Sequence, residues 1–123
     1  MTAAVLLTVL LVLLALFQLA LALGAPLGRF AWGGQHRVLP TGLRVGSALG
    51  IATYVLIAVL ALDRTGAVDV LPDRFSRVGM WVVLAYFVLG IGLNAASRSE
   101  SERRVMVPVT VVLAALSLLV VLG

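Results

Sequence analysis

Apolar residues fill four long runs of the chain, and shorter polar or glycine-rich segments separate these runs. A helix needs roughly 20 residues, and at least about 17, to cross the hydrocarbon core of a bilayer. Backbone groups in lipid must find partners within their own segment, so each run predicts a helix. The sequence therefore predicts an all-α polytopic membrane protein, with residues 1–123 forming one compact bundle of four transmembrane helices. The predicted helices cover Thr2–Leu23, Val45–Leu62, Val78–Ala96 and Val105–Leu122.

The composition agrees with a lipid environment and excludes several kinds of chemistry. Hydrophobic residues make up 63% of the chain and charged residues 11%, against about 45–50% and 25% in soluble domains. The chain has no cysteine and no lysine, which excludes disulfides, thiolate nucleophiles and lysine-based phosphate or Schiff-base chemistry. Its net charge of +4 comes from arginines in short loops beside apolar runs, where such residues are expected. The bilayer is thus a predicted partner and nucleic acid is not.

The distribution of arginines predicts the orientation in the membrane. The first and third connectors hold six of the nine arginines, and the second connector holds three. Because cytoplasmic loops are enriched in Lys and Arg, we expect the first and third connectors in the cytoplasm and both termini outside.

Two starting points are open for the fourth helix. Ser99 followed by Glu102 has the spacing of a capping box, which would start the helix near Glu100 and place Pro108 inside it. Alternatively, the helix starts near Pro108, because proline is favoured in a first turn. The four predicted apolar spans contain no carboxylate, which argues against proton-coupled export.

Small residues mark faces on which helices can approach closely. Gly42, Gly46 and Gly50 recur every four residues at the start of the second helix, and Gly90 lies near the end of the third. This small-xxx-small pattern allows close packing in lipid. It leaves two alternatives open, namely packing within one bundle and a homodimer seam.

The first connector, residues 24–44, is the segment that most clearly predicts a site. Connectors of this length without secondary structure are typically functional or disordered, and this one is too apolar for disorder. We expect it to fold back against the bundle as a re-entrant or interfacial cap that carries Gln35, His36 and Arg37. Gln18 and Asn94 lie near the same end of their helices, and intramembrane polar residues are functional candidates. Burial is predicted for the apolar connector residues Leu27, Phe30, Trp32, Val38 and Leu39.

Two sequence stretches also carry a resemblance, "LGAPLGRFAWGGQHRVLPTGLR" and "NAASRSESERRVMVPV". The glycine-proline-glycine connector leading to Gly-Gly-x-His and Leu-Pro, followed by an Asn–Ser–Glu–Arg–Pro series, resembles a group of small uncharacterised bacterial integral membrane proteins. The resemblance implies a bacterial inner (plasma) membrane location and no particular activity. It unites the connector and the end of the third helix in one ligand-binding site. The predicted site residues are Gln18, Gly33, Gly34, Gln35, His36, Arg37, Asn94 and Ser97.

Three classes of function fit this inventory. The first is a binding or accessory protein that takes a lipid or small-molecule ligand or joins a larger membrane complex. The second is a small dimeric channel or transporter. The third is a membrane enzyme acting on a lipid-like substrate, with His36 as base and Glu100 or Glu102 orienting it. One histidine and no cysteine are too few ligands for zinc, so neither a metal nor another cofactor is predicted.

Overall fold

The computed structural model describes residues 2–123 and contains four long α-helices with no strand among those residues. Each helix is long and apolar enough to cross a membrane, which confirms the predicted all-α, multi-pass fold. Two short 3₁₀ turns, Gly28–Phe30 and Trp32–Gly34, lie in the first connector. The α-helices are α1 (Thr2–Ala22), α2 (Thr41–Arg64), α3 (Asp73–Ala95) and α4 (Glu100–Leu122).

The four helices form a ring in which each contacts the next and α4 closes against α1. The α1–α2 and α3–α4 contacts are the most extensive. Because successive helices run antiparallel, the first and third connections lie at one end of the bundle, which we call the connector end. The start of α1, the loop 65–72 and the end of α4 lie at the opposite end, which we call the terminal end.

Helices α2, α3 and α4 begin four or five residues earlier than the hydropathy pattern predicts. The start of α4 shows the reason, because the Ser99 hydroxyl accepts a hydrogen bond from the Glu102 N–H at 3.2 Å. This cap satisfies a backbone donor that would otherwise be unpaired. The helix therefore begins at Glu100 and runs through Pro108, and the alternative start near Pro108 is wrong.

This earlier start corrects a second expectation. Glu102 belongs to α4 and is only 6% exposed. The bundle interior thus contains a carboxylate, although the predicted apolar spans contained none.

The interior at the terminal end is a predominantly apolar core to which all four helices contribute. Outward-facing side chains such as Leu13 and Val82 remain 58% and 63% exposed, as expected where lipid covers the surface. In lipid, close van der Waals packing rather than removal from water holds such helices together. The core residues are Ala4, Leu7, Leu11, Ile57, Leu60, Ala61, Met80, Val83, Phe87, Leu113, Ala114, Val120 and Val121.

The first connector folds back against the connector end. Leu39 and Ala31 pack on Leu21 in a second small core, and the Gly28 N–H donates to the Arg37 carbonyl at 2.9 Å. Trp32 and Val38, which were predicted to be buried, are 46% and 48% exposed. The predicted burial of these two residues is therefore wrong. The connector buries apolar side chains only on the side that faces the bundle.

Candidate functional site

A cavity of about 390 Å³ lies at the connector end, between the four helices and the connector. The connector segment from Phe30 to Gly33 covers the cavity at the connector end, and we call this segment the cavity roof. The helices form the cavity walls. The cavity gathers most of the chain's aromatic side chains from four separate segments. Six of the eight aromatic residues line it, namely Phe17, Phe30, Trp32, Tyr54, Tyr86 and Phe87.

Gln18 projects from α1 into this cavity. Its Nε2 donates to the Tyr54 hydroxyl across 3.5 Å, which is at the outer limit for a hydrogen bond. Its Oε1 is shielded from solvent and has no partner. Leaving a buried polar atom unsatisfied costs about 1–3 kcal/mol. Among residues 2–123, Asp63 Oδ1, Arg64 Nε and Ser117 Oγ are also buried without a partner, but of these four residues only Gln18 lines the cavity.

Asn94 on α3 and Thr110 on α4 face each other across the cavity wall. The Asn94 Nδ2 donates to Thr110 Oγ1 at 2.7 Å, and that hydroxyl donates to the Met106 carbonyl at 2.6 Å. The pair uses one of the two N–H groups of the Asn94 amide and leaves the other N–H and the carbonyl oxygen without a partner among residues 2–123. Asn94 therefore ties α3 to α4 and also contributes an acceptor to the cavity.

Glu102 supplies a carboxylate to the same cavity. Its Oε2 accepts a hydrogen bond from the Gly33 N–H at 3.2 Å. It also lies in the first turn of α4, where the helix dipole favours a negative charge. Both features place partial positive charge beside the carboxylate.

No basic side chain among residues 2–123 forms an ion pair with Glu102. Arg103 donates to the Ser97 carbonyl at 2.6 Å, and Arg104 pairs with Glu100 on the surface. The Arg29 guanidinium lies over the Phe30 ring, 4.6 Å from its centroid. These three arginines of the first and third connections therefore contact groups other than Glu102.

Trp32 forms part of the cavity roof in an unusual backbone conformation, with φ of +53°. Its Nε1 donates to the Ser47 hydroxyl at 3.2 Å, and its ring lies against Gly46. A Cβ added at Gly46 would be 3.0 Å from the ring, so this glycine makes room for the indole.

The other predicted packing glycines differ in their surroundings. A Cβ at Gly50 would meet the Gln18 side chain at 3.8 Å, and one at Gly90 would meet Thr110 at 3.3 Å. A Cβ at Gly42 would have nothing within 4 Å. Three of the four glycines therefore lie against residues that line the cavity.

The connector is also held to the start of α4. The Ser99 hydroxyl donates to the Arg29 carbonyl while it caps α4. Gly34, with φ of +71°, lies so close that an added Cβ would be 2.4 Å from the Ser99 Cβ. Together with the Gly33–Glu102 bond, these contacts fix the position of the cavity roof.

The structure divides the predicted ligand-binding residues among four places. Gln18, Gly33 and Asn94 line the cavity. Ser97 lies in the α3–α4 turn, where its hydroxyl accepts from the Ser99 N–H at 3.1 Å, and Gln35 is exposed and lines neither space. A separate surface pocket of about 460 Å³ is lined by Pro26, Leu27, Arg29, Gly34, His36 and Arg37.

The candidate catalytic residues do not come together. His36 is exposed on the outer side of the connector, and Glu102 faces the cavity on the inner side. Within residues 2–123, no hydrogen bond joins the imidazole to Glu100 or Glu102. The arrangement in this structure therefore contains no assembled His–Glu pair.

Sequence reasoning assigned Glu102 to capping or to orienting His36, and missed it as a cavity residue. The residue spacing along α4 could have identified Glu102 as a cavity residue if the helix had been predicted to begin at Glu100. Positions spaced by three or four residues along α4 share one face, and this face includes Thr110. The α4 residues that line the cavity follow that spacing: Glu102, Met106, Val109, Thr110 and Leu113.

Comparison with protein-family models, curated proteins and solved structures gives no significant match for this chain. The resemblance drawn from the connector motifs therefore stays a prediction.

Proposed function

We propose that this chain is a membrane-embedded binding protein whose cavity holds a small amphiphilic molecule taken from the bilayer. The observation that carries the proposal is the solvent-shielded, unpartnered Oε1 of Gln18 inside a largely aromatic cavity. Small-molecule sites are typically mostly apolar, with few polar groups, and measure about 300–1,000 Å³. A bound molecule would supply the hydrogen-bond donor that residues 2–123 do not, once the Gln18 side chain turns its Oε1 towards the cavity.

The exposed part of the cavity wall supports entry from lipid. Tyr86, Leu89 and Leu93 line the cavity from α3 and are 52%, 64% and 66% exposed. In a bilayer, this face of α3 would contact acyl chains. An amphiphile could therefore slide between the helices with its apolar part in lipid and its polar end under the connector.

The packing beyond the cavity favours binding over conduction. Towards the terminal end, Leu7, Leu11 and Met80 are almost fully buried in a predominantly apolar core. A channel or transporter needs a polar path across the whole membrane thickness, which this core interrupts. The buried polar residues Asp63, Ser76 and Ser117 lie towards the terminal end and none of them lines the cavity, so no continuous polar path joins the two ends within residues 2–123.

Matched variants at the chain's two glutamines test the binding function. Replacing Gln18 with leucine removes the unsatisfied amide at nearly constant volume, so we expect the free energy of unfolding to rise by about 1 kcal/mol. We expect the same change to abolish a co-purifying small molecule or lipid seen by native mass spectrometry. Gln35→Leu makes the same chemical change outside the cavity and should leave the bound molecule in place.

Two outcomes would contradict the binding proposal. One is wild-type protein, extracted gently from its own membrane, that carries no bound small molecule or lipid. The other is a bound molecule that Gln18→Leu retains as well as Gln35→Leu does.

We also propose that the connector end faces the cytoplasm of a bacterial plasma membrane, as the arginine distribution predicts. The cysteine-free chain allows single-cysteine labelling at two exposed sites, Gln35 in the connector and Asp69 in the loop at the terminal end. In intact cells, a membrane-impermeant thiol reagent should label Asp69→Cys and not Gln35→Cys. Labelling of Gln35→Cys alone would reverse the orientation.

A further inference from the structure

Glu102 is a buried carboxylate without a cationic partner among residues 2–123. One backbone N–H and the start of α4 place partial positive charge beside it, but burial of a carboxylate is strongly unfavourable unless it is paired. Arg103, Arg104 and Arg29 make other contacts, with Ser97, Glu100 and Phe30. The cavity therefore has an unbalanced negative charge at its polar end.

Two further groups in the cavity present acceptors. Gln18 has an unpartnered Oε1. One N–H of the Asn94 amide bonds to Thr110, and its carbonyl oxygen has no partner among residues 2–123. Three acceptor groups, from α1, α3 and α4, thus converge on one space. A ligand with several N–H groups satisfies them, whereas a ligand made only of acceptors does not.

The aromatic walls favour the same kind of ligand. Six rings line a cavity of about 390 Å³, and the faces of Trp, Tyr and Phe attract cations within about 6 Å. The remainder of the wall is aliphatic, with residues such as Leu14, Leu89 and Leu113. A molecule with a cationic end and an apolar body would therefore contact both kinds of surface favourably.

We infer that the cavity binds a lipophilic amine in its protonated form, with the ammonium group near Glu102 and the apolar body among the aromatic rings. This inference rests on the proposed binding function and adds the chemical class of the ligand. An anionic amphiphile would be repelled by Glu102. A quaternary ammonium would match the charge but would offer no N–H to Gln18.

Trp32 provides a fluorescent reporter within the cavity wall. Trp81 is the only other tryptophan and does not line the cavity, so Trp81→Phe leaves a single emitting indole there. The protein is placed in nanodiscs of zwitterionic lipid and titrated with a bromoalkylamine, which quenches nearby indoles. Bromoalkanol and bromoalkanoate of the same chain length serve as neutral and anionic probes.

We expect saturable quenching of Trp32 by the amine, with at least about tenfold weaker binding of the alcohol and the carboxylate. In the same background, Glu102→Gln should weaken amine binding about tenfold, because the amide can still accept from the Gly33 N–H but carries no charge. Glu100→Gln is the matched control, since Glu100 lies on the exposed side of the same helix turn. It should bind the amine as the parent does.

The outcomes separate this inference from the function on which it rests. Saturable quenching of equal strength by amine and alcohol would overturn the amine assignment and leave the binding function standing. Equal losses in Glu100→Gln and Glu102→Gln would also overturn it, because general surface charge would then explain the effect. Quenching that never saturates with any of the three probes would contradict both. The comparison of probes on the parent protein needs no variant at Glu102, so it decides the matter even if Glu102→Gln fails to fold.

Discussion

Replacing Gly28 by alanine is expected to lower the free energy of unfolding by about 3 kcal/mol or more, because overpacking at a buried site costs typically 1–3 kcal/mol and occasionally more. The added Cβ would lie 1.7 Å from the His36 carbonyl oxygen and 2.9 Å from that of Arg37. Both neighbours are backbone atoms, so no side chain can rotate away. The Gly28 N–H also bonds to Arg37, and separating the two segments would break this bond.

Gly42→Ala is the matched control for this prediction. It adds the same methyl group in a helix where nothing lies within 4 Å, and alanine has the higher helix propensity. Its free energy of unfolding should be equal to that of the wild type or up to about 1 kcal/mol higher. Unfolding titrations with a denaturing detergent, monitored by tryptophan emission, give both values.

A Gly28→Ala protein as stable as Gly42→Ala would show that the connector does not close on itself between Gly28 and Arg37. Native mass spectrometry of the control has a second use. If Gly42→Ala dissociates an oligomer, this face of α2 is the predicted homodimer seam.

The helices could be predicted from sequence because lipid imposes a length and a composition on any segment that crosses it. Their starts could not be placed as well, because the apolar signal ends where polar residues begin while the helix continues to its cap. The first turn of α4, Glu100 to Arg103, is polar and helical. Hydropathy alone therefore placed it outside the helix, although the Ser99–Glu102 spacing contained the information.

The candidate site was only partly predictable for a different physical reason. Depth along a helix was enough to associate Gln18 with Asn94, because a helix rises by about 1.5 Å per residue. The side of the connector on which His36 lies depends instead on backbone angles. Trp32, Gly33 and Gly34 all have positive φ, and this sharp turn separates the inward-facing Gly33 N–H from the outward-facing His36.

The glycine pattern of α2 illustrates the same limit. Spacing alone indicated a face that allows close approach, but not what approaches it. In the structure, Gly46 accommodates the indole of Trp32 and Gly50 adjoins Gln18. Both neighbours line the cavity. Because these two glycines have no side chains, they leave space for Trp32 and Gln18 at the edge of the site.

Gly34→Ala is expected to cost about 3 kcal/mol, and Gly33→Ala only about 1 kcal/mol, although both glycines have similar positive φ, +71° and +77°. The difference isolates a contact. A Cβ at Gly33 meets nothing within 4 Å, whereas one at Gly34 would be 2.4 Å from Ser99 Cβ and 2.6 Å from its hydroxyl. Gly33→Ala thus measures the backbone strain alone, and Gly34→Ala adds the collision between the connector and α4.

Ser99→Gly removes the two closest atoms, Cβ and Oγ, and leaves only the Arg29 carbonyl oxygen at 3.2 Å from the new methyl group, so it should rescue most of the loss in Gly34→Ala. By itself it should cost about 1 kcal/mol, since it loses the bond to the Arg29 carbonyl and part of the α4 cap. In that background, Gly34→Ala should cost about 1 kcal/mol, as Gly33→Ala does in the wild type, which corresponds to a coupling of about 2 kcal/mol in a double-mutant cycle. Additive costs would mean that the connector does not rest on Ser99. The cavity would then lack the fixed roof that places the Gly33 N–H against Glu102, and a bound amine would have to organise that roof itself.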